Sequence, residues 1–202
     1  IRLERGNMSE LHRRIGVSRW NGKSFTLDQD HVAVEALVII RINGNAIANL
    51  LATPSDLQDL AIGHCIAEAK TGPISIESFT TSLDETGTHF VDIITSNKIE
   101  PLLPDERIIT SSCGACDRDG VDVLMSNVPL VSSSQISFSA AAINTAFEAM
   151  KKLQIGFSVT GGVHAAGLID GEGNLVAIRE DIGRHNAVDK LFGFAQRSEI
   201  NL

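Results

Sequence analysis

The apolar positions of this 202-residue chain change their period several times, and each change predicts an element. Residues 1–31 are polar and mixed in charge, with one amphipathic patch at 15–20, which predicts an arm or a first strand. Residues 32–42 are mostly β-branched and apolar, a strand pattern. Asn43-Gly44 then signals a hairpin, with the return strand over 46–51. Thr53-Pro54-Ser55-Asp56 reads as a helix start, with Thr53 as cap and Pro54 in the first turn, where its missing N–H costs nothing. Leu57, Leu60, Ala61, Cys65 and Ile66 follow at helical spacing. A second hairpin is predicted over 74–96, turning at Asp84-Glu85-Thr86-Gly87.

Pro101 and Pro104 interrupt the pattern, and a domain boundary is expected there, giving an N-terminal α+β domain at 1–104 and a second domain at 105–202. The second opens with a short strand over 107–110. A helix is predicted over 139–153, because Ile143, Ala146, Phe147, Met150 and Leu153 fall on one face and Lys151-Lys152 suit a C-terminus. Residues 155–159 read as a strand ending in a glycine turn. Residues 168–178 read as a strand pair around Asp170-Gly171-Glu172-Gly173-Asn174, and Glu180-Asp181 opens a last helix running to about Ala195. Helices mixed with strands make the fold class α/β, α+β overall.

Composition narrows the function. A net charge of −8 disfavours nucleic-acid binding, which needs clustered Lys and Arg. No apolar run approaches the roughly 20 residues of a membrane helix, and no secretory signal is visible. The charged start, Ile1-Arg2-Leu3-Glu4-Arg5, without an initiator Met, suggests a trimmed or partial chain. Three cysteines with one close pair do not make a disulfide framework, so a reducing, cytoplasmic location is expected.

Three constellations carry chemistry. Cys113-Gly114-Ala115-Cys116 lies between Ser111-Ser112 and Asp117-Arg118-Asp119-Gly120, a polar stretch that suits a loop. An exposed loop thiol can ionise and attack. A structural zinc site wants four ligands, and this pair supplies two. Spacing alone leaves sulfur or redox chemistry, zinc, and an incidental surface pair open. Cys65, on the apolar face of its helix, reads as a core residue. The second constellation is Thr160-Gly161-Gly162-Val163-His164, where two glycines let a ligand approach the backbone and His164 adds a titratable group. The alternative is a tight turn that needs positive φ, and two glycines alone are weak evidence for a ligand. The third is Glu180-Asp181-Ile182-Gly183-Arg184-His185-Asn186-Ala187-Val188-Asp189-Lys190. Arg184 and Lys190 suit phosphate, and Asp189 or Glu180 suits the N–H edge of a purine such as guanine. The alternative is a solvated, salt-bridged helix face.

These motifs, in this order, resemble the formate dehydrogenase accessory proteins of the FdhD/NarQ type. Two further matches are Asn43-Gly44 and Thr53-Pro54-Ser55-Asp56-Leu57-Gln58-Asp59-Leu60-Ala61-Ile62-Gly63, and the resemblance runs over about 32–192. It implies a cytidine-deaminase-like mixed sheet with flanking helices, preceded by a smaller α+β domain, in a protein that forms a homodimer. It also implies a sulfurtransferase. Sulfane sulfur passes from a cysteine desulfurase, as a persulfide, to the molybdenum bis-guanine dinucleotide cofactor before that cofactor enters formate dehydrogenase. Cys113 looks like the persulfide carrier and Cys116 its partner in relay or resolution. Thr160, Gly161, Gly162, His164, Glu180, Asp181, Gly183, Arg184, His185, Asn186, Asp189 and Lys190 look like the cofactor pocket, with GDP as a mimic.

The chain departs from the family pattern in three places. Asp117 stands where Gly is typical, and its charge should oppose thiolate formation nearby. Gly63-His64-Cys65 and Glu68-Ala69-Lys70 replace Gly-Phe-Leu and Glu-Gly-Ile. Family members also run on past the equivalent of Leu202, so the pocket residues named here are expected to be an incomplete set. Two other classes compete. A non-catalytic chaperone that binds and hands over the cofactor would use the same pocket without sulfur turnover. A zinc deaminase would need His-x-Glu ahead of Pro-Cys-x-x-Cys, whereas His164-Ala165-Ala166 lacks the glutamate and Ser112 replaces the proline.

Overall fold

The computed structural model of the chain describes residues 11–68, 75–96, 108–109 and 137–200. It begins with a two-stranded antiparallel ribbon, β1 (His12–Trp20) and β2 (Phe25–Ala33). The polar N-terminal stretch therefore supplies a hairpin rather than an arm or a single strand. β3 (Ala36–Ile42) and β4 (Asn45–Ala52) follow, so the strand expected over 32–42 is split at Val34-Glu35. Helix α1 spans Leu57–Glu68, and the second hairpin is β5 (Ile76–Leu83) with β6 (His89–Thr95). A short strand β7 (Ile108–Ile109) precedes α2 (Ala140–Leu153) and α3 (Ile155–Thr160). β8 (His164–Ile169), β9 (Leu175–Asp181) and α4 (Arg184–Arg197) complete the order.

The central sheet is mixed, in the order β5-β6-β3-β4-β7. β5 with β6 and β3 with β4 are antiparallel, while β3 with β6 and β4 with β7 are parallel. Asn43 and Gly44 take φ of 50° and 83°, the double positive φ that a two-residue hairpin turn requires. The Asn43 side chain also splices the end of β6, donating to the Thr95 carbonyl (2.9 Å) and accepting from its N–H (3.0 Å). Alternation sends Val38, Ile40, Ile42, Ala48, Leu50, Val91 and Ile93 to one buried face, where Leu60, Ala61 and Cys65 of α1 cover them. Each such large apolar side chain contributes about 1.5–3 kcal/mol on burial.

α1 is buried on every side from Asp59 through Cys65, because α4 covers the face that the sheet does not. Two glycines make this crossing possible. A Cβ added at Gly63 would run into the Asp189 carbonyl, and one at Gly193 into the Asp59 carbonyl. On its far side α4 packs Leu191 and Phe194 against Ala177 of the β8–β9 ribbon. The mixed α+β class with a mixed sheet and flanking helices holds. Packing of α1 on α4 also joins residues from both sides of the boundary expected at 104, which itself falls outside the described residues.

Three local expectations need correction. Residues 155–160 form a helix, not a strand. Both carboxylate oxygens of Glu180 accept its early amides, from Gly156 and Phe157 (2.8 Å each), and this tertiary cap outweighs the strand propensity of the residues. α1 starts at Leu57 rather than at Pro54, because Asp56 has φ of 49° and Thr53 is committed elsewhere. Glu180 and Asp181 end β9 instead of opening α4, whose N-cap is Gly183. The helix at 140–153 forms as read, capped by the Ser139 hydroxyl, which accepts from Ala142 N–H at 3.1 Å.

Candidate functional site

The glycine turn and the charged helix start meet at one end of the β8–β9 ribbon. His164 pairs in register with Asp181, so Gly161–Val163 enter this end and Ile182–Arg184 leave it. Gly161 is the left-handed stop of α3 (φ 63°), its N–H donating to the Phe157 carbonyl at 2.8 Å. Space beside its α-carbon is open, and Gly162 is exposed. The Thr160 hydroxyl braces the turn, donating to Gly156 O (2.8 Å) and accepting from Gly162 N–H (3.1 Å). Ala33 at the end of β2 lies beside Gly162.

The residues of the third motif divide sharply by burial. Arg184 and His185, in the first turn of α4, are exposed, as is His164 across the ribbon end. No side chain caps this helix start at Gly183. Asp181 and Lys190 are 0% exposed and pair at 2.7 Å. Lys190 Nζ also donates to the carbonyls of Thr53 (3.0 Å) and Glu180 (3.2 Å). Asp181 accepts from Thr53 N–H (3.0 Å), Gly183 N–H (2.8 Å) and Asn186 Nδ2 (3.0 Å). Asn186 Nδ2 donates as well to the Leu51 carbonyl at 2.9 Å. Asp189 meets His64 Nδ1 of α1 at 3.2 Å. Asp181, Asn186, Asp189, Lys190 and Glu180 therefore spend their polar atoms on the protein's own frame, while Gly161, Gly162, His164, Arg184 and His185 face outward.

Sequence reasoning missed the partners of this frame. The sequence reads Thr53 as a helix cap, yet its hydroxyl accepts from Ile182 N–H at 3.0 Å. Asp59 holds two arginines, Arg179 (2.7 and 2.8 Å) and Arg197 (2.9 Å), and Arg179 also lies over the Phe194 ring at 4.4 Å. The signal was the Thr53–Gly63 match, which periodicity reads only as a helix and its entry. Burial pushes the Cys65 thiol up to about 12, with the Asp189 carboxylate adding to the effect, so this cysteine is inert at neutral pH.

Cys113 and Cys116 lie outside the described residues. β7 runs parallel to β4, pairing Ile109 with Leu50, so it ends at the sheet edge from which Thr53 departs. Among the described residues no three His, Cys, Asp or Glu side chains are grouped to hold a metal ion. No described helix is long and apolar enough to cross a membrane.

A mixed sheet covered by α1, with α4 packed between α1 and the β8–β9 ribbon and a glycine turn and a basic helix start converging at one ribbon end, defines an α+β protein with a recessed polar frame behind an open surface. This architecture is similar to the crystal structure of a putative formate dehydrogenase accessory protein from Desulfotalea psychrophila, with a TM-score of 0.65 and 22% identity over 93% of this chain and 70% of that one. The chain belongs to the FdhD/NarQ family, whose model matches residues 33–202. It is 34% identical over 193 residues to the sulfur carrier protein FdhD of Xanthomonas oryzae pv. oryzae, spanning 92% of this chain and 66% of that relative. It is 33% identical over 188 residues to the protein of the same name from Cupriavidus necator, spanning 90% and 64%. The chain thus matches just under two thirds of the length of these curated relatives.

Proposed function

We propose that this chain is a cytoplasmic sulfur carrier for formate dehydrogenase. It would receive sulfane sulfur from a cysteine desulfurase and deliver it to the molybdenum bis-guanine dinucleotide cofactor. The observation that carries the reading is the family match across 33–202, which includes the cysteine pair and both pocket motifs. The arrangement of the described residues supports it. An uncapped helix start with the Arg184 guanidinium suits a pyrophosphate, and the open Gly161 turn admits a ligand against the backbone. His164 and His185 add donors beside them. The cofactor is cargo in this scheme, and the chain's part is to hold it while sulfur moves.

Cys113 thiolate attacks the terminal sulfur of the donor's persulfide, forming a Cys113 persulfide and releasing the donor's thiol. Cys116 thiolate then attacks the Cys113 sulfur, hydrosulfide leaves for the metal, and a Cys113–Cys116 disulfide remains for a thiol reductant to reopen. Each step conserves electrons, with the dithiol supplying the two that reduce sulfane sulfur to sulfide. A homodimer would present two such sites.

Intact-protein mass spectrometry after incubation with a desulfurase and cysteine tests the reading. The wild-type protein should gain one reducible sulfur atom, and Cys113→Ala should gain none. A Cys113→Ala protein that loads as well as wild type would sink it. Loading at Cys113 without any loss of sulfur to the cofactor would favour the chaperone reading instead.

A further inference from the structure

Thr53 is fully buried and holds the far side of the pocket frame through three hydrogen bonds. Its N–H donates to Asp181 Oδ2 (3.0 Å), its carbonyl accepts from Lys190 Nζ (3.0 Å), and its hydroxyl accepts from Ile182 N–H (3.0 Å). The third is the decisive one. β9 ends at Asp181 and α4 begins at Arg184, so Ile182 lies between ladder and helix. Pro54 disfavours a helical conformation at Thr53, and β-branching leaves its hydroxyl few directions. A rigid, buried acceptor thus fixes the peptide two residues ahead of Arg184.

We propose that Thr53 is a positioning residue for ligand recognition. Its hydroxyl sets the Ile182–Gly183 turn, and through it the direction in which Arg184 and His185 leave the first turn of α4. The proposal rests on the reading that this surface binds a guanine nucleotide. Thr53 itself reaches no ligand, since it is buried behind the turn it holds. A merely structural Thr53 would lower stability without changing the affinity of the folded protein.

Three variants grade the acceptor, and Thr53→Val does so at nearly constant volume, whereas Thr53→Ser and Thr53→Cys also drop the γ-methyl. Thr53→Ser keeps the hydroxyl, Thr53→Cys leaves a weak acceptor, and Thr53→Val leaves none. The measurement is GDP titration of the full chain by calorimetry, well below each variant's melting temperature, with amide exchange at Ile182 followed in parallel. Affinity should fall about tenfold in Thr53→Val, several-fold in Thr53→Cys and less than about twofold in Thr53→Ser, as expected for one lost buried hydrogen bond. Exchange at Ile182 should quicken in the same order. Equal GDP affinity across the series would overturn the proposal, as would equal losses in Ser and Val. If Thr53→Val does not fold, Thr53→Cys decides on the same terms, and an affinity equal to wild type counts against us. Wild-type protein that binds no GDP would remove the ligand reading and this proposal together, whereas wild-type binding with an unchanged Thr53→Val affinity overturns the proposal alone.

Discussion

Replacing Lys190 by methionine should cost about 3–5 kcal/mol of folding stability, the range for removing one partner of a buried ion pair. The aliphatic stem is retained, so the loss comes from the charge. Asp181, 0% exposed, would keep its bonds from Thr53, Gly183 and Asn186 but lose its only counter-charge within 3 Å among the described residues. The carbonyls of Thr53 and Glu180 would each lose a charged donor as well. Those three remaining donors to Asp181 argue for the lower end of the range. Against a total stability of about 5–15 kcal/mol the variant should still fold, with a clearly shifted urea midpoint. Far-UV circular dichroism is the suitable probe, because the single tryptophan, Trp20, is 56% exposed on the N-terminal ribbon and reports little on this core. Lys152→Met, at the exposed end of α2, is the control and should move stability by less than about 0.5 kcal/mol. A Lys190→Met loss below about 1 kcal/mol, with an unchanged denaturant slope, would refute the view that this pair is a buried frame.

Gly63→Ala and Gly193→Ala should each destabilise by at least about 1–3 kcal/mol, since the added methyl meets backbone that cannot swing aside, and thermal melts should place both well below Gly16→Ala, where the space is open. The Cys65 thiol, pushed up to about 12, should resist alkylation in the native protein at pH 8 while reacting freely in urea, and mass mapping of the labelled peptide reads this directly. The sign of its pH effect follows: between about 9 and 12 the unfolded thiol has lost its proton and the folded one has not, so stability declines as pH rises through that window, and Cys65→Ala should flatten the decline.

Much of the site was visible in the residues, but their division of labour was not. Gly183-Arg184-His185-Asn186 stood out by composition, and the structure does place it at a helix start beside the glycine turn. Yet one-dimensional spacing treats Arg184 and Lys190 alike. The approach of Thr53, 137 residues away in sequence, helps take Lys190 out of solvent while leaving Arg184 exposed. The helix at 155–160 was hidden for a related reason. Its cap, Glu180, lies 24 residues from Gly156, beyond the reach of any local propensity rule.

By itself the sequence determined the local events whose causes are local. The Asn43-Gly44 turn, the alternating faces of β3 and β4, the Ser139-capped helix and the motif order that marks the family all follow from neighbouring residues. Tertiary structure decided which polar residues face outward and which hold the frame. Burial depends on what packs from elsewhere in the chain, and the Gly63–Gly193 crossing brings α1 close enough to α4 for His64 and the Thr53 loop to claim Asp189 and Lys190, residues that the sequence alone assigned to a ligand.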